Sequence, residues 1–389
     1  AQYYYLLYPL LLFTALNAIL GSYCKSVLKS SFQMFVNEVL IRIFQTVLLI
    51  FFALEVINLE WFIILFVIIH GLSALIMGVF LISINEFDLR SNNIIKEKGV
   101  RLELLKYGGA NFLTGIASNL SNRIDVLMVG AMVVGVSLSK NAGLEAVGVY
   151  VFASYLAAMI EMPTRAVTNI AAPMIAQLWY KNDMKSIDMV YKKSAINQFF
   201  AGGLLFLGIW INFDDIAQLI LGMANHNDYS SAKWVIFYLG IAKLFHVASG
   251  VNGTIIVTSK YYLVGTYTTI GLAFLTILTN WLLIPIMGIE GAALATAISI
   301  FVFNIIFFLF LKIKFNLQPH TIKSFLVIII SIVVYFLTIN LPEIQNTLLK
   351  IIFQSIFIFV AYVTLGLFFK ITPDVSRLFI KTLQKLRLK

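Results

Sequence analysis

Seven stretches of roughly 20 residues carry no Asp, Glu, Lys or Arg, and they restrict what this chain can fold into more than any motif does. They are Ala1–Tyr23, Trp61–Asn85, Ser194–Phe213, Tyr261–Ile289, Gly291–Leu311, Ser324–Pro342 and Ile351–Phe369. A helix must pair its own backbone groups inside hydrocarbon, so about 20 apolar residues make one crossing. Four further runs, about Val36–Ile57, Tyr107–Val134, Val147–Tyr180 and Lys233–Ser259, are long enough but hold ionisable residues. None of these runs shows the alternating period of a transmembrane barrel. The expected fold class is therefore all-α, a polytopic membrane protein of about 11 transmembrane helices.

Composition agrees. Of 389 residues, 60% are hydrophobic and 12% charged, whereas a soluble domain carries about 25% charged residues. The net charge of +10 raises the question of nucleic acid. Its distribution answers it, because the positive-inside rule accounts for the basic residues better. Most of the 28 Lys and Arg residues follow the first, third, fifth, seventh, ninth and eleventh runs. The intervening loops and span edges hold only Lys140, Lys233 and Lys350. This alternation implies a cytoplasmic C-terminus and an outer Ala1, and it gives no nucleic-acid partner. An outer start, with no leading Met and no basic segment before the first apolar run, suggests loss of an odd number of N-terminal spans rather than a signal peptide.

Charges within spans are costly and normally face a cavity or a partner. In the second run Glu38, Arg42 and Gln45 share one helical face. In the fourth, Asn111, Ser118, Asn122 and Asp125 recur at i, i+7, i+11 and i+14, with Thr114 beside them. In the fifth, Ser154, Glu161, Arg165 and Thr168 repeat that spacing, and the seventh run adds Lys243 and His246. Such stripes imply a hydrated cavity. Its basic residues (Arg42, Arg165, Lys243 and, off the stripe, Arg123) suit an anionic passenger such as a diphosphate, since guanidinium forks onto phosphate oxygens. Glu38–Arg42 and Glu161–Arg165 read equally well as self-neutralised pairs holding helices together. Pro163 should kink or break its helix and is the expected hinge, and Pro173 offers a second kink. The run Gly288, Gly291, Ala292, Ala293, Ala295, Ala297 reads as a close-packing face.

No phosphate-binding loop, zinc-protease motif, nucleophile elbow or dinucleotide fingerprint occurs. The single cysteine, Cys24, excludes an internal disulfide. No cofactor or metal site is expected. The adjacent pair Asp214–Asp215 allows a membrane sugar transferase or polymerase, but reads better as capping the helix that follows.

The segments GVYVFASYLAAMIEMPTRAVTNIAAPMIAQLW, YKKS, GVNGTIIVTSKYY and LLIPIMGIEGAALATAIS resemble bacterial polysaccharide-biosynthesis proteins. These are Wzx-like flippases of the multidrug/oligosaccharidyl-lipid/polysaccharide exporter superfamily. The resemblance implies a MATE-like bundle of two lobes around a central cavity, here lacking the first three helices. Residues 1–85 would be the N-lobe remnant, 86–106 the cytoplasmic inter-lobe loop and 107–316 the C-lobe. Residues 317–389 would supply two extra spans and a basic tail. It also implies alternating access that moves an undecaprenyl-diphosphate-linked sugar, with membrane lipids and a polysaccharide polymerase or export machinery as partners. Arg42 and Arg165 would face the phosphates, with Glu161, Asp125 and His246 tuning charge or coupling ions. A cation-coupled exporter of small molecules is the alternative on the same fold.

Overall fold

The computed structural model describes residues 4–85, 98–121, 123–136, 140–221 and 230–371. Every regular element among them is helical. The chain divides into two compact units, residues 1–101 with 172–174, and residues 102–171 with 175–389.

In the first unit, α1 (Leu7–Ser26) precedes α2 (Ser30–Met34), a π-helical turn (Phe35–Leu40), α3 (Ile41–Ala53) and α4 (Leu59–Ser83). Cys24, Val36, Met77 and Leu81 bury together, and Asn17 Nδ2 donates to Ser73 Oγ at 2.6 Å between α1 and α4. Much of the remaining apolar surface is open: Leu11, Ile43, Leu75 and Val79 are 56–67% exposed. Water would drive such patches to associate, whereas lipid tails solvate them at no cost.

The second unit runs through α5 (Lys98–Ser121), α6 (Ile124–Val136), α7 (Lys140–Met159), α8 (Met162–Tyr180), α9 (Met184–Ile211), α10 (Phe213–Leu221), α11 (Ser230–Ala248), α12 (Asn252–Val257), α13 (Tyr262–Phe315), α14 (Ile322–Ile339) and α15 (Thr347–Phe368). Three apolar clusters hold it. Val129, Tyr150, Ile236, Ile284 and Ala293 join α6, α7, α11 and α13. Ile175, Ile187, Tyr191, Ile255 and Phe307 join α8, α9, α12 and α13. Phe200, Val327, Ile330 and Tyr362 fasten α14 and α15 onto α9.

Seven helices among the described residues are long and apolar enough to cross a membrane, or eight when α7 and α8 count as one bent span. The 54-residue α13 covers two of the expected crossings, which meet at Gly288. There φ is 58° and ψ −131°, a conformation open essentially only to glycine. Beside it, a Cβ on Gly291 would collide with the Leu283 carbonyl, so only glycine lets the two arms of α13 close this tightly. The expected small-residue face is buried, with Ala292, Ala293 and Ala295 fully covered. The two remaining expected crossings are interrupted. One breaks between α5 and α6, the other between α11 and α12. The protein is thus an all-helical, multi-pass membrane protein.

The helix also breaks just before Pro163, and α7 and α8 meet at a 48° bend. Pro163 sits in the first turn of α8, where its missing N–H leaves no carbonyl unpaired. Pro173, by contrast, lies inside a continuous α8 and does not break it.

Candidate functional site

The break between α7 and α8 sets out the main polar cluster of the second unit. Its last residue, Glu161, occupies the N-cap position of α8. Its carboxylate takes the ammonium of Lys243 on α11 at 3.0 Å, with both side chains less than a quarter exposed. The Arg165 guanidinium also acts on Glu161 from one turn along α8. Gly202 on α9 packs on Val247 of α11 and Gly240 on α11 packs on Phe206 of α9, and a Cβ at either would collide, so these two glycines let α9 and α11 close together beside Ile160 at the break.

Asp125 lies in the first turn of α6, 7% exposed. One carboxylate oxygen accepts the Tyr150 hydroxyl at 2.6 Å, and the other accepts the Val126 N–H at 2.8 Å. Lys243 is close enough for its charge to reach Asp125 as well. Further along α11, His246 Nδ1 meets Asn304 Oδ1 on α13 at 3.2 Å, and Asn252 Nδ2 donates to that same oxygen at 3.2 Å. Thr164 donates to Gln198 Oε1 at 3.2 Å, tying α8 to α9.

Several expectations take a different form. Glu161 pairs with Lys243 on a neighbouring helix rather than with Arg165 one turn away. Glu161 is a cap, so the i, i+4 spacing of a continuous helix does not apply to it. Arg165 is exposed and makes no ion pair with a described residue. In the first unit Glu38 falls in the π-helical turn, whose wider winding shifts its phase against Arg42. Both are exposed, Gln45 is half-buried, and Glu38 and Arg42 are not paired.

The polar stripe of the fourth run is not one helical face. α5 ends at Ser121, so Asp125 starts a new helix instead of continuing the row of Asn111 and Ser118. Asn111 donates back to Tyr107 O at 3.1 Å, and Ser118 is half-buried beside it. On the adjoining side of α5, Thr114 donates to Thr266 at 3.0 Å and Ser121 lies 3.4 Å from Thr276, both on α13. Asn122 lies outside the described residues, and Arg123 is exposed at the break.

Asp214 and Asp215 both fall in the first turn of α10. Lys233 holds Asp214 at 2.6 Å, and Lys350 of α15 holds Asp215 at 2.9 Å. Each carboxylate is thus neutralised by its own lysine. Among the described residues no cluster of His, Cys, Asp or Glu is arranged to hold a metal ion.

Tyr150, Asn304, Asn252 and Gln198 belong to this cluster although the spacing of charges does not point to them. Their sequence signal is a lone polar residue in an apolar run. Asn280, fully buried in α13 with neither amide atom partnered, carries the same signal.

No protein-family model matches the chain. It is 24% identical over 196 residues to the Probable low-salt glycan biosynthesis flippase Agl15 of Haloferax volcanii, a match over 50% of this chain and 39% of that protein. The chain thus spans about two fifths of the length of this relative. Its fold is similar to that of the Lipid II flippase MurJ in an inward closed conformation, with a TM-score of 0.64 and 15% identity. That likeness covers 93% of this chain and 72% of the MurJ chain. Both similarities are to proteins named as flippases.

Proposed function

We propose that this protein flips a lipid-linked sugar across the membrane by alternating access, without catalysing a covalent step. The observation that carries this reading is Lys243 paired with Glu161 at a broken helix, with Arg165 exposed one turn away and unpaired among the described residues. A pyrophosphate-linked passenger needs cations that can be released from carboxylates and offered to phosphate, and this cluster supplies them. The similarity to a glycan-biosynthesis flippase and the MurJ-like fold support the same class of passenger. In this reading the passenger is an undecaprenyl-diphosphate-linked sugar, and Arg42 and Arg165 face its phosphates. The bend before Pro163 is the hinge. The basic loops face the cytoplasm, the C-terminus included, and the membrane is the bacterial cytoplasmic one. A polysaccharide polymerase or export complex would receive the product. The transferase alternative loses its site, because Asp214 and Asp215 are each occupied by a lysine.

The test is polysaccharide export in cells lacking the gene, restored by the protein carrying Arg42→Ala and Arg165→Ala at normal membrane levels. Loss of export, with lipid-linked sugar accumulating on the inner leaflet, supports the cationic passage. Unchanged export overturns the assignment of these two arginines.

A further inference from the structure

A cavity of about 310 Å³ lies in the second unit. Its walls are Phe245, Ile305, Phe308, Leu309 and Pro319, and it is almost wholly apolar. Ser249, Asn304 and His320 also line it, and the Ser249 hydroxyl and the Asn304 amide are hydrogen-bonded within the fold. Tyr191 is fully buried on α9, borders the cavity, and its hydroxyl has no partner among the described residues. A buried hydroxyl without a partner costs about 1–3 kcal/mol, so an occupant offering an acceptor there would be held.

The position of the cavity narrows the chemistry of that occupant. Phe308 lies seven residues before the end of α13, about 10 Å at 1.5 Å per residue. Tyr191 lies seven residues after the start of α9, the same distance from that helix end. Both therefore sit near the boundary between acyl chains and headgroups. At the rim, the Lys312 ammonium stands 5.6 Å over the Phe308 ring, and His320 packs on the same ring. Lys312 is exposed and makes no ion pair with a described residue. The nearby Lys323 is committed elsewhere, donating to Lys370 O at 2.7 Å. The chain turn that closes the rim is rigid. Asn316 adopts a left-handed conformation, its N–H bonds Lys312 O, and Leu317 N–H bonds Leu311 O, completing a Schellman motif.

An apolar slot, an unsatisfied hydroxyl one helical turn or two inside it and a free cation at its mouth match one molecule of the surroundings. We propose that this cavity is a structural site for an anionic glycerophospholipid of the bilayer. One acyl chain fills the slot, an ester carbonyl accepts from Tyr191, and the phosphate meets Lys312. Basic pockets between helices on the cytoplasmic side favour anionic headgroups, and the neighbouring Lys314 adds to the field. The lining meets the His246 contact at Asn304, and the lipid is recognised by the lining itself rather than by what the protein transports.

The test uses the 389-residue chain purified in mild detergent and equilibrated with equal amounts of phosphatidylglycerol and phosphatidylethanolamine of matched chains. Native mass spectrometry then reads the lipid retained. The expected result is preferential retention of one phosphatidylglycerol. Tyr191→Phe should lower its occupancy by up to about tenfold, the loss typical of one hydrogen bond. Lys312→Gln, at an exposed position that folding tolerates, should abolish the preference between headgroups. Leu309→Trp should exclude both lipids by filling the slot. Equal retention of the two lipids by the unaltered chain overturns the proposal, as does undiminished phosphatidylglycerol binding in both Tyr191→Phe and Lys312→Gln. Displacement of the bound lipid by a polyprenyl phosphate at equal concentration also overturns it, because the slot would then belong to an isoprenoid chain.

Discussion

The carboxylate of Glu161 and the ammonium of Lys243 lie 3.0 Å apart, joining the break between α7 and α8 to the middle of α11. The pair crosses from one helix to another at the 48° bend between α7 and α8, where bending of the chain would have to be absorbed. Because neither side chain is far from apolar neighbours, removing one leaves the other charged and poorly solvated.

A double-mutant cycle with Glu161→Gln and Lys243→Gln should therefore show coupling of about 0.5–3 kcal/mol in thermal unfolding in detergent. Each single change should destabilise more than the double change implies by addition. Additive losses would mean that the pair contributes nothing by being a pair.

Tyr150 and Asp125 make the second contact that ought to be sensitive. Tyr150→Phe removes one donor from a buried carboxylate while keeping the ring, and should cost about 1–3 kcal/mol. Asp125→Asn retains an acceptor for the hydroxyl and should cost less. Equal losses from the two changes, measured by the same unfolding assay, would show that the hydroxyl is not what holds Asp125.

The kink of α13 rests on Gly288 and Gly291. Gly288→Ala forces a side chain into a backbone conformation that costs about 1–3 kcal/mol outside glycine. Gly291→Ala meets the Leu283 carbonyl directly and should be at least as damaging. Gly271→Ala, on the same helix with nothing near the added carbon, is the control and should be close to neutral.

Asp183 caps α9 outside the membrane. The Ser186 hydroxyl donates to it at 2.7 Å and the Ser186 N–H at 3.0 Å, and these bonds hold its carboxyl below the usual aspartate range. A depressed folded value contributes stability above the unfolded value, near pH 4, and that contribution is lost as pH falls through the folded one. Asp183→Ala should thus lower the melting temperature at neutral pH and leave it progressively less changed in acid. A difference independent of pH would point to backbone geometry rather than to the charge.

Much of the fold is legible in local sequence. The apolar runs set the helices, because a backbone in hydrocarbon has no other way to pair its polar groups. Pro163 marks the break of α8 through its own covalent geometry, and the glycine and alanine run of α13 marks where helices approach closely. The same local reasoning misplaces the ion pairs. Glu38–Arg42 and Glu161–Arg165 satisfy i, i+4 spacing, yet a π-helical turn dephases the first and a helix break removes the second from a common face.

What the sequence by itself determined is the class of environment and the set of helices, since both follow from hydropathy summed over a window of one crossing. Which cation meets which carboxylate was decided only by tertiary structure. Lys243 and Glu161 stand 82 positions apart in the chain and meet because α11 packs against the bend before α8. The unpartnered Tyr191 hydroxyl and the cavity beside it have the same origin: three helices and a short turn enclose a space that no one of them encodes.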